Sequence, residues 1–420
     1  MKKKSSRRPA KGAPQDQKQE SGPRIAVFTH DTFGLGHVRR STHLMRALSQ
    51  RLPDSSLLLI TGSPALHRMP PLPPNADFVK IPTIVRTGAE DRRPPHLRLP
   101  IHRITSLRKR ITRSAILEFD PDVFVVDNFP LGSRRELLPI LEELRERKTK
   151  TVLGLRDILD TPETVQENWT RDGTYGVLED LYDHVLVYGV RRIFDLAKAY
   201  ELSPKAAGKL TYCGYVTDHR PLATSRVALR RRLGVRKPFV LATGGGGGDA
   251  YPLLSNFVEA AKAIPKCSAL VLTGPLMAAA DRRELERRAA RNPQIQFMDF
   301  VPDVREYIAA ADAVVSMCGY NSASELLAQS ARTLVVPRDW QYGQHVRRDN
   351  VIQEGEQVMR AEALSRRGLV RMLSPSELDP ETLARELKEL LKSPPPSPGK
   401  RPSLRGMENA GRFLANLATS

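Results

Sequence analysis

Residues 317–325 of this sequence, MCGYNSASE, combine a glycine with side chains that can bind a phosphate and a sugar. The segment follows a predicted strand and begins a predicted helix. Gly319 permits close approach of a ligand, while Asn321 and Ser322 can cap the helix and donate to a diphosphate. Glu325 lies one turn further along the same helix face, where a carboxylate can accept both hydroxyls of a ribose. A plain helix cap needs only one of these residues, so the segment favours a nucleotide site.

A second glycine-rich segment, residues 30–37, ends in a histidine. It reads HDTFGLGH and joins an apolar run at residues 24–28 to a helical pattern that begins near Val38. Gly34 and Gly36 belong to this loop. An imidazole at the end of a strand, as predicted for His37, can take the proton from an acceptor hydroxyl. A lone histidine is often purely structural, and that interpretation remains open beside the catalytic one.

A run of five glycines follows another predicted strand at residues 239–242. Within it, Gly244, Gly245 and Gly246 let backbone N–H groups approach an anion, and the next helix directs its positive end toward the same place. The run is not a phosphate-binding loop of the Gly-Lys-Ser/Thr type, and it lacks the spacing of a dinucleotide fingerprint. A flexible interdomain turn is the alternative interpretation.

Strands and helices alternate twice along the chain, which predicts an α/β protein with two doubly wound halves. We predict a disordered basic tail over residues 1–23, an N-terminal Rossmann-like domain over 24–217, a C-terminal one over 218–395, and a Pro/Ser linker with a terminal helix over 396–420. Ligands of such sheets bind at the carboxyl ends of the strands. The cleft between the halves is therefore the expected site.

The composition restricts the class of protein further. The three cysteines are far apart and form no CxxC pair, no apolar run is long enough to span a membrane, and the N-terminus does not resemble a secretory signal. We therefore expect a cytoplasmic protein. The formal charge of +19 requires an anionic partner or an anionic surface, and part of it lies in a predicted basic amphipathic helix at residues 100–117. The apolar stripe of this helix, spaced by three and four residues, is Ile101, Ile104, Leu107 and Ile111. This helix either packs with a solvated basic face or makes peripheral contact with the inner membrane face or an anionic acceptor.

The chain resembles the GT-B glycosyltransferases related to family 28, which include the N-acetylglucosamine transferase of lipid II synthesis. The segment from Cys318 to Ser322 with Glu325 is similar to the Cys-Gly-Trp-Asn-Ser…Glu box of nucleotide-sugar transferases, although Met317 replaces the usual histidine. Phe300 and Val301 resemble the segment whose backbone reads uracil in family 28. The likeness extends from residue 24 to about 391 and is nearest to an uncharacterised bacterial branch that shares VDNFPLG at 126–132 and LRDI at 155–158.

The resemblance implies roles for further residues. Asp127 ends an N-terminal strand, where the family places a carboxylate that orients the histidine; a turn former is the alternative. Arg156 and Asp157 end another strand and are expected to face the acceptor. The family also uses a glutamine that touches the donor sugar. Gln357 fits that pattern better than Gln344, although Arg360 stands where the family has asparagine.

We therefore predict a glycosyltransferase that moves a hexose-type sugar from a uridine diphosphate donor to a hydroxyl of an unidentified acceptor, lipid-linked or anionic, with inversion. Asp120-Pro121-Asp122 precedes its strand, so we assign no metal, and no cofactor is expected beyond the donor. An epimerase or hydrolase of sugar nucleotides is the alternative enzyme. A nucleic-acid-binding protein is the non-enzyme alternative, which the aromatic content of 6% disfavours.

Overall fold

The computed structural model describes residues 22–29, 36–64, 66–86, 92–218, 220–338, 340–341, 352–353 and 355–420. Most of the predicted basic tail, Gly34 and Gln344 lie outside the described residues. Within them, the strands are β1 (Arg24–Thr29), β2 (Ser56–Thr61), β3 (Ala76–Lys80), β4 (Val85–Arg86), β5 (Arg92–Arg93), β6 (Val123–Asp127), β7 (Lys150–Arg156), β8 (His184–Tyr188), β9 (Leu210–Tyr212), β10 (Phe239–Thr243), β11 (Ser268–Leu272), β12 (Ile295–Met298), β13 (Ala313–Ser316), β14 (Thr333–Val335), β15 (Trp340–Gln341), β16 (Ile352–Gln353) and β17 (Arg371–Met372).

The helices alternate with these strands. They are α1 (Gly36–Arg51), α2 (Ile101–Phe119), α3 (Leu138–Arg145), α4 (Pro162–Asp172), α5 (Thr174–Asp180), α6 (Leu196–Ala199), α7 (Pro204–Ala207), α8 (Arg226–Leu233), α9 (Tyr251–Lys262), α10 (Ala279–Ala289), α11 (Val304–Ala310), α12 (Tyr320–Gln329), α13 (Glu356–Ser365), α14 (Pro380–Lys392) and α15 (Gly406–Ala418). Within the described ranges, no helix is long and apolar enough to cross a lipid bilayer.

Two parallel sheets form the centres of two α/β halves, as predicted. The N-terminal sheet has the strand order β3-β2-β1-β6-β7-β8-β9, and the C-terminal sheet has the order β12-β11-β10-β13-β14-β17. The first strand of each half lies inside its sheet: β1 lies between β2 and β6, and β10 lies between β11 and β13. The direction of the strand order reverses at β1 and at β10. The strands β6 and β10 are buried along their whole length because helices cover both faces of each sheet. The fold is therefore GT-B, with two Rossmann-like halves.

The order of the strands determines which loops meet. Thr29 at the end of β1 pairs with Asp127 at the end of β6, so the strand that precedes His37 in the chain ends beside the predicted carboxylate. Thr243 at the end of β10 pairs with Ser316 at the end of β13. The glycine run and the segment around Asn321 therefore also leave adjacent strands, at the reversal point where such sheets bind ligands.

The terminal helix α15 returns from the C-terminal half to the N-terminal one. Its residues Met407, Ala410 and Leu414 are buried in an apolar cluster with Leu44 and Leu48 of α1. The same cluster continues through the cleft region to aromatic and aliphatic residues of both halves. The two halves are consequently joined by a continuous apolar contact behind the cleft.

Helix α2 packs differently from the predicted apolar stripe. Its buried side chains recur every four residues at Ile104, Arg108, Thr112 and Ile116, whereas Leu107 is 40% exposed. The Arg108 guanidinium is buried because Glu136 accepts two hydrogen bonds from it, at 2.6 and 2.7 Å, and the Pro82 carbonyl accepts a third. A charged side chain thus occupies a position in the core that hydropathy alone would give to an aliphatic residue.

Candidate functional site

The cleft between the carboxyl ends of the two sheets holds a cavity of about 380 Å³. Its lining brings together residues from both glycine-rich loops, from the segment around Asn321 and from the start of α13. The halves meet closely here: a Cβ atom on Gly36 would lie only 2.5 Å from the side-chain nitrogen of Asn321. Gly36 therefore lets the start of α1 lie directly against the opposite half.

His37 and Asp127 form a hydrogen-bonded pair on the N-terminal wall of the cleft. The His37 Nδ1 atom lies 2.6 Å from Oδ2 of Asp127. Arg40, one turn along α1, donates to both carboxylate oxygens of Asp127 at 2.8 Å. Nη2 of Arg40 also lies 3.0 Å from Nδ1 of His37. Because the shorter contact of Nδ1 is the one to the carboxylate, which only accepts hydrogen bonds, we assign the Nδ1 proton to the bond with Asp127, and this leaves Nε2 with its lone pair. The sequence analysis did not identify Arg40, although the spacing of three residues from His37 was visible.

Burial determines the charge state of this pair. Burial lowers the pKa of His37 below its ordinary 6.5, more than the hydrogen bond with Asp127 raises it. Burial alone would raise the pKa of Asp127, but the adjacent Arg40 guanidinium and His37 hold it below its usual value. The pair therefore stands as a neutral imidazole beside an ionised carboxylate, the state that a general base requires.

On the opposite wall, helix α12 begins with its N-terminus at the cavity. Gly319 precedes the helix, and Asn321 and Ser322 lie in its first turn, all three lining the cavity. The first-turn N–H groups of a helix have no partners within the helix and carry a partial positive charge. Ser322 also faces the glycine run, because its Oγ lies 3.6 Å from where a Cβ on Gly245 would be. The glycine run and the first turn of α12 thus line the same cavity side by side.

Glu325 lines the same cavity and is already bound by the other half. Nη1 of Arg39, from α1, lies 2.7 Å from Oε1 of Glu325. Burial raises the pKa of Glu325, and the Arg39 charge opposes this rise. One carboxylate oxygen is paired with Arg39, and a ribose bound here would share Glu325 with it. The sequence analysis did not identify this contact between the halves.

The remaining predicted donor residues also line the cavity. Phe300 is 46% exposed and Val301 is 8% exposed, so the phenyl ring is open to solvent at the edge of the cleft. The carboxamide oxygen of Gln357 accepts a hydrogen bond from the backbone N–H of Arg338 at 3.3 Å, which holds Gln357 at the start of α13. The guanidinium of Arg338 in turn pairs with Asp249, which follows the glycine run.

Arg156 and Asp157 occupy different places, although they are neighbours in the sequence. Arg156 lines the cavity and pairs with Glu356 of α13 at 2.7 Å. Asp157 does not line it: its side chain is 2% exposed and bonds to Arg360 at 2.9 Å and to the Tyr215 hydroxyl at 2.7 Å. The expectation that Asp157 faces an acceptor is therefore wrong, because alternate residues at a strand end point to opposite sides.

The acidic pair in the Asp-Pro-Asp segment lies at the other end of the N-terminal sheet. Asp120 pairs with Arg24 and Arg147, and Asp122 accepts from the Arg24 backbone N–H at 2.7 Å. Both carboxylates thus make ion pairs or hydrogen bonds near the start of β1 and β6. Among the described residues there is no cluster of three or more histidine, cysteine or acidic side chains suited to a metal ion.

Comparisons with known proteins agree with this arrangement. Residues 241–404 match the model of the glycosyltransferase family 28 C-terminal domain. The chain is 29% identical over 197 residues to the UDP-N-acetylglucosamine--N-acetylmuramyl-(pentapeptide) pyrophosphoryl-undecaprenol N-acetylglucosamine transferase of Rubrobacter xylanophilus, covering 47% of this chain and 52% of that protein. It is 24% identical over 367 residues to the protein of the same name from Acetivibrio thermocellus, covering 85% and 87%.

The first of these matches spans only about half the length of the relative. Among solved structures, UDP-glucose: anthocyanidin 3-O-glucosyltransferase in complex with UDP superposes with a TM-score of 0.63 at 12% identity, over 95% of this chain and 99% of that one. At a sequence identity this low, the structural similarity shows that the two proteins share a fold and nothing more. The family model connects the C-terminal half, which holds α12 and the glycine run, to family 28.

Proposed function

Since this chain is related to the family 28 glycosyltransferases and has the GT-B fold, we propose that it transfers a hexose-type sugar from a nucleoside diphosphate donor, a uridine diphosphate sugar, to an acceptor hydroxyl. One observation carries the proposal: the pair of His37 and Asp127 faces the N-terminus of α12 across a single cavity. A base on one wall and an anion-binding turn on the other are what a displacement at a sugar carbon needs.

The donor occupies the C-terminal wall in this proposal. Its base lies at Phe300 and Val301, its ribose hydroxyls donate to Glu325, and its diphosphate accepts from the backbone N–H groups near Gly319 and Gly245. Gln357 contacts the sugar. No metal or cofactor takes part, because helix α12 and the backbone N–H groups balance the negative charge of the leaving diphosphate.

The reaction is a direct displacement with inversion. Nε2 of His37 takes the proton of the acceptor hydroxyl while the acceptor oxygen forms a bond to the anomeric carbon. The bond from that carbon to the diphosphate oxygen breaks, and the diphosphate leaves with the electron pair. Asp127 stabilises the imidazolium that forms and stays ionised, because Arg40 donates to both of its oxygens.

The acceptor enters from the N-terminal half, and its class follows from the charge there. Leu97, Leu99 and Leu107 are exposed by about four-tenths of their surface and alternate with the exposed Arg98 and Arg103. Exposed apolar side chains among arginines suit an anionic lipid surface. The proposal therefore includes peripheral membrane contact through the region before and within α2, and a lipid-linked or otherwise anionic acceptor.

Replacing Glu325 by alanine is expected to weaken UDP binding roughly 10- to 100-fold, because hydrogen bonds to a charged group contribute about 1.5–3 kcal/mol. Calorimetric titration with UDP measures this. Glu389→Ala, which removes an exposed acid of α14 paired with Lys392, should leave the affinity unchanged. If the wild type neither binds UDP-sugars nor releases UDP from them, and Glu325→Ala changes nothing, the proposed activity is wrong. A new sugar nucleotide or free sugar formed without acceptor would identify an epimerase or hydrolase instead.

The acidic limb of the pH profile should lie below the ordinary titration range of histidine. A base must be neutral to accept a proton, and burial lowers the pKa of His37 below 6.5. Turnover is therefore expected to be constant around pH 7 and to fall as the pH drops through that lowered value. Initial rates at saturating donor between pH 4.5 and 8 measure it. Turnover that rises on acidification would contradict His37 as the base.

A further inference from the structure

Arg360 is a buried charge that touches both halves of the molecule. Its side chain is fully buried in α13, one turn after Glu356. The guanidinium donates to Asp157 of the N-terminal half at 2.9 and 3.2 Å, and Nη1 donates to the Cys318 carbonyl at 3.2 Å. An arginine presents five N–H donors on a planar fork of three nitrogens, whereas a lysine presents three donors on a single nitrogen.

The Cys318 carbonyl belongs to the peptide that begins the anion-binding turn. Cys318 has a φ of 71°, in the left-handed region that a side chain rarely adopts. The carbonyl of a trans peptide points opposite to the N–H that follows it. When Arg360 holds the Cys318 carbonyl on its side, the Gly319 N–H points away from Arg360. Gly319 lines the cavity, and Arg360 contacts the side of this peptide opposite to its N–H.

The carboxylate on the other side of Arg360 is firmly fixed within the N-terminal half. Asp157 accepts from the Tyr215 hydroxyl at 2.7 Å and from the Ile158 backbone N–H at 2.8 Å. The Arg360 guanidinium also lies over the ring of Tyr320, 5.7 Å from its centroid, and Arg40 lies at 5.7 Å from the same ring. Tyr320, the first residue of α12, is thus held between an arginine of each half.

We propose that Arg360 is a positioning residue that orients the Gly319 N–H for the diphosphate and fixes this turn relative to the N-terminal half through Asp157. The inference rests on the proposed function, since it concerns the same donor site. It predicts a selective defect: diphosphate binding should depend on Arg360, while base and ribose contacts at Phe300 and Glu325 should not.

The test compares UDP with uridine, which lacks the diphosphate, by ligand-observed NMR titration of the full chain. In the double variant Arg360→Met/Asp157→Asn no buried charge is left unpaired, so it is expected to fold. We expect the preference for UDP, the Kd of uridine divided by that of UDP, to fall at least tenfold. If circular dichroism shows the double variant unfolded, Arg360→Lys provides the same comparison, because a single nitrogen replaces the planar fork whose Nη1 and Nη2 bind the Cys318 carbonyl and Asp157.

The matched control is Arg108→Met/Glu136→Gln, which removes another buried arginine-carboxylate pair with a third bond to a backbone carbonyl, distant from the cleft. Its preference for UDP should equal that of the wild type. A preference that stays within twofold in the Arg360 variants, while the wild type prefers UDP, overturns the role of Arg360 alone. A wild type with no preference for UDP over uridine overturns this role and the proposed donor site together. An equal loss in the control also overturns it, because any buried pair would then have the same effect.

Discussion

Replacing His37 by alanine is expected to lower kcat by roughly 10²–10⁴-fold, the usual contribution of a positioned general base. His37 lines the cavity and Asp127 does not, and with the Nδ1 proton bonded to Asp127 it is Nε2 that can accept a proton. The affinity for UDP should change little, since the donor contacts lie on the opposite wall. Steady-state transfer kinetics together with UDP titration separate the two effects.

His184→Ala provides the control for this result. His184 begins β8, at the end of the sheet away from the cleft, and its ring contacts Phe413 of α15. Its removal should leave kcat near the wild-type value. If His37→Ala kept its turnover, or lost UDP binding in proportion to turnover, His37 would have a structural role and another group would have to take the proton.

Much of this site was predictable because parallel sheets place strand ends together. Once β1, β6, β10 and β13 are recognised as buried strands, the chemistry-bearing residues that follow them must meet at the reversal points. The pairing of His37 with Asp127 followed from this rule and from the resemblance to family 28. The fold class and the cleft location required no further information.

The arginines that hold the site together were not predictable in the same way. Arg39, Arg40 and Arg360 bind carboxylates far away in the sequence, and Asp157 is 203 residues from its partner Arg360. Nothing in the local pattern of an arginine distinguishes a buried partner from a solvated one. The contacts of Arg39 and Arg360 depend on how the two halves pack, and that of Arg40 on how α1 packs against β6, which a single sequence does not reveal.

Helix α2 shows the same difficulty within one half. Apolar residues at three- and four-residue spacing predicted that Leu107 faces the core, but the buried row contains Arg108 instead. The charge is tolerated there because Glu136, 28 residues away, is completely buried beside it. A hydropathy pattern treats arginine as solvent-exposed. It therefore predicts that Leu107 lies on the buried face of α2, where the structure has the next residue, Arg108.

Glu136→Gln is consequently expected to lower the free energy of unfolding by about 3–5 kcal/mol, the usual cost of leaving one buried charge without its partner. Glutamine has nearly the same volume as glutamate, so the loss comes from the unpaired guanidinium and not from a cavity. Urea denaturation followed by circular dichroism measures the change. The UDP affinity of the folded protein should remain that of the wild type, since neither residue lines the cleft.

The double variant Arg108→Met/Glu136→Gln distinguishes an unpaired charge from lost packing. Removing both charges eliminates the desolvation cost of each, so the double variant should be more stable than Glu136→Gln even though it carries one more substitution. The Pro82 carbonyl loses its donor, which keeps the double variant below the wild type. Additive losses from Glu136→Gln and Arg108→Met would instead mean that the two side chains stabilise α2 independently.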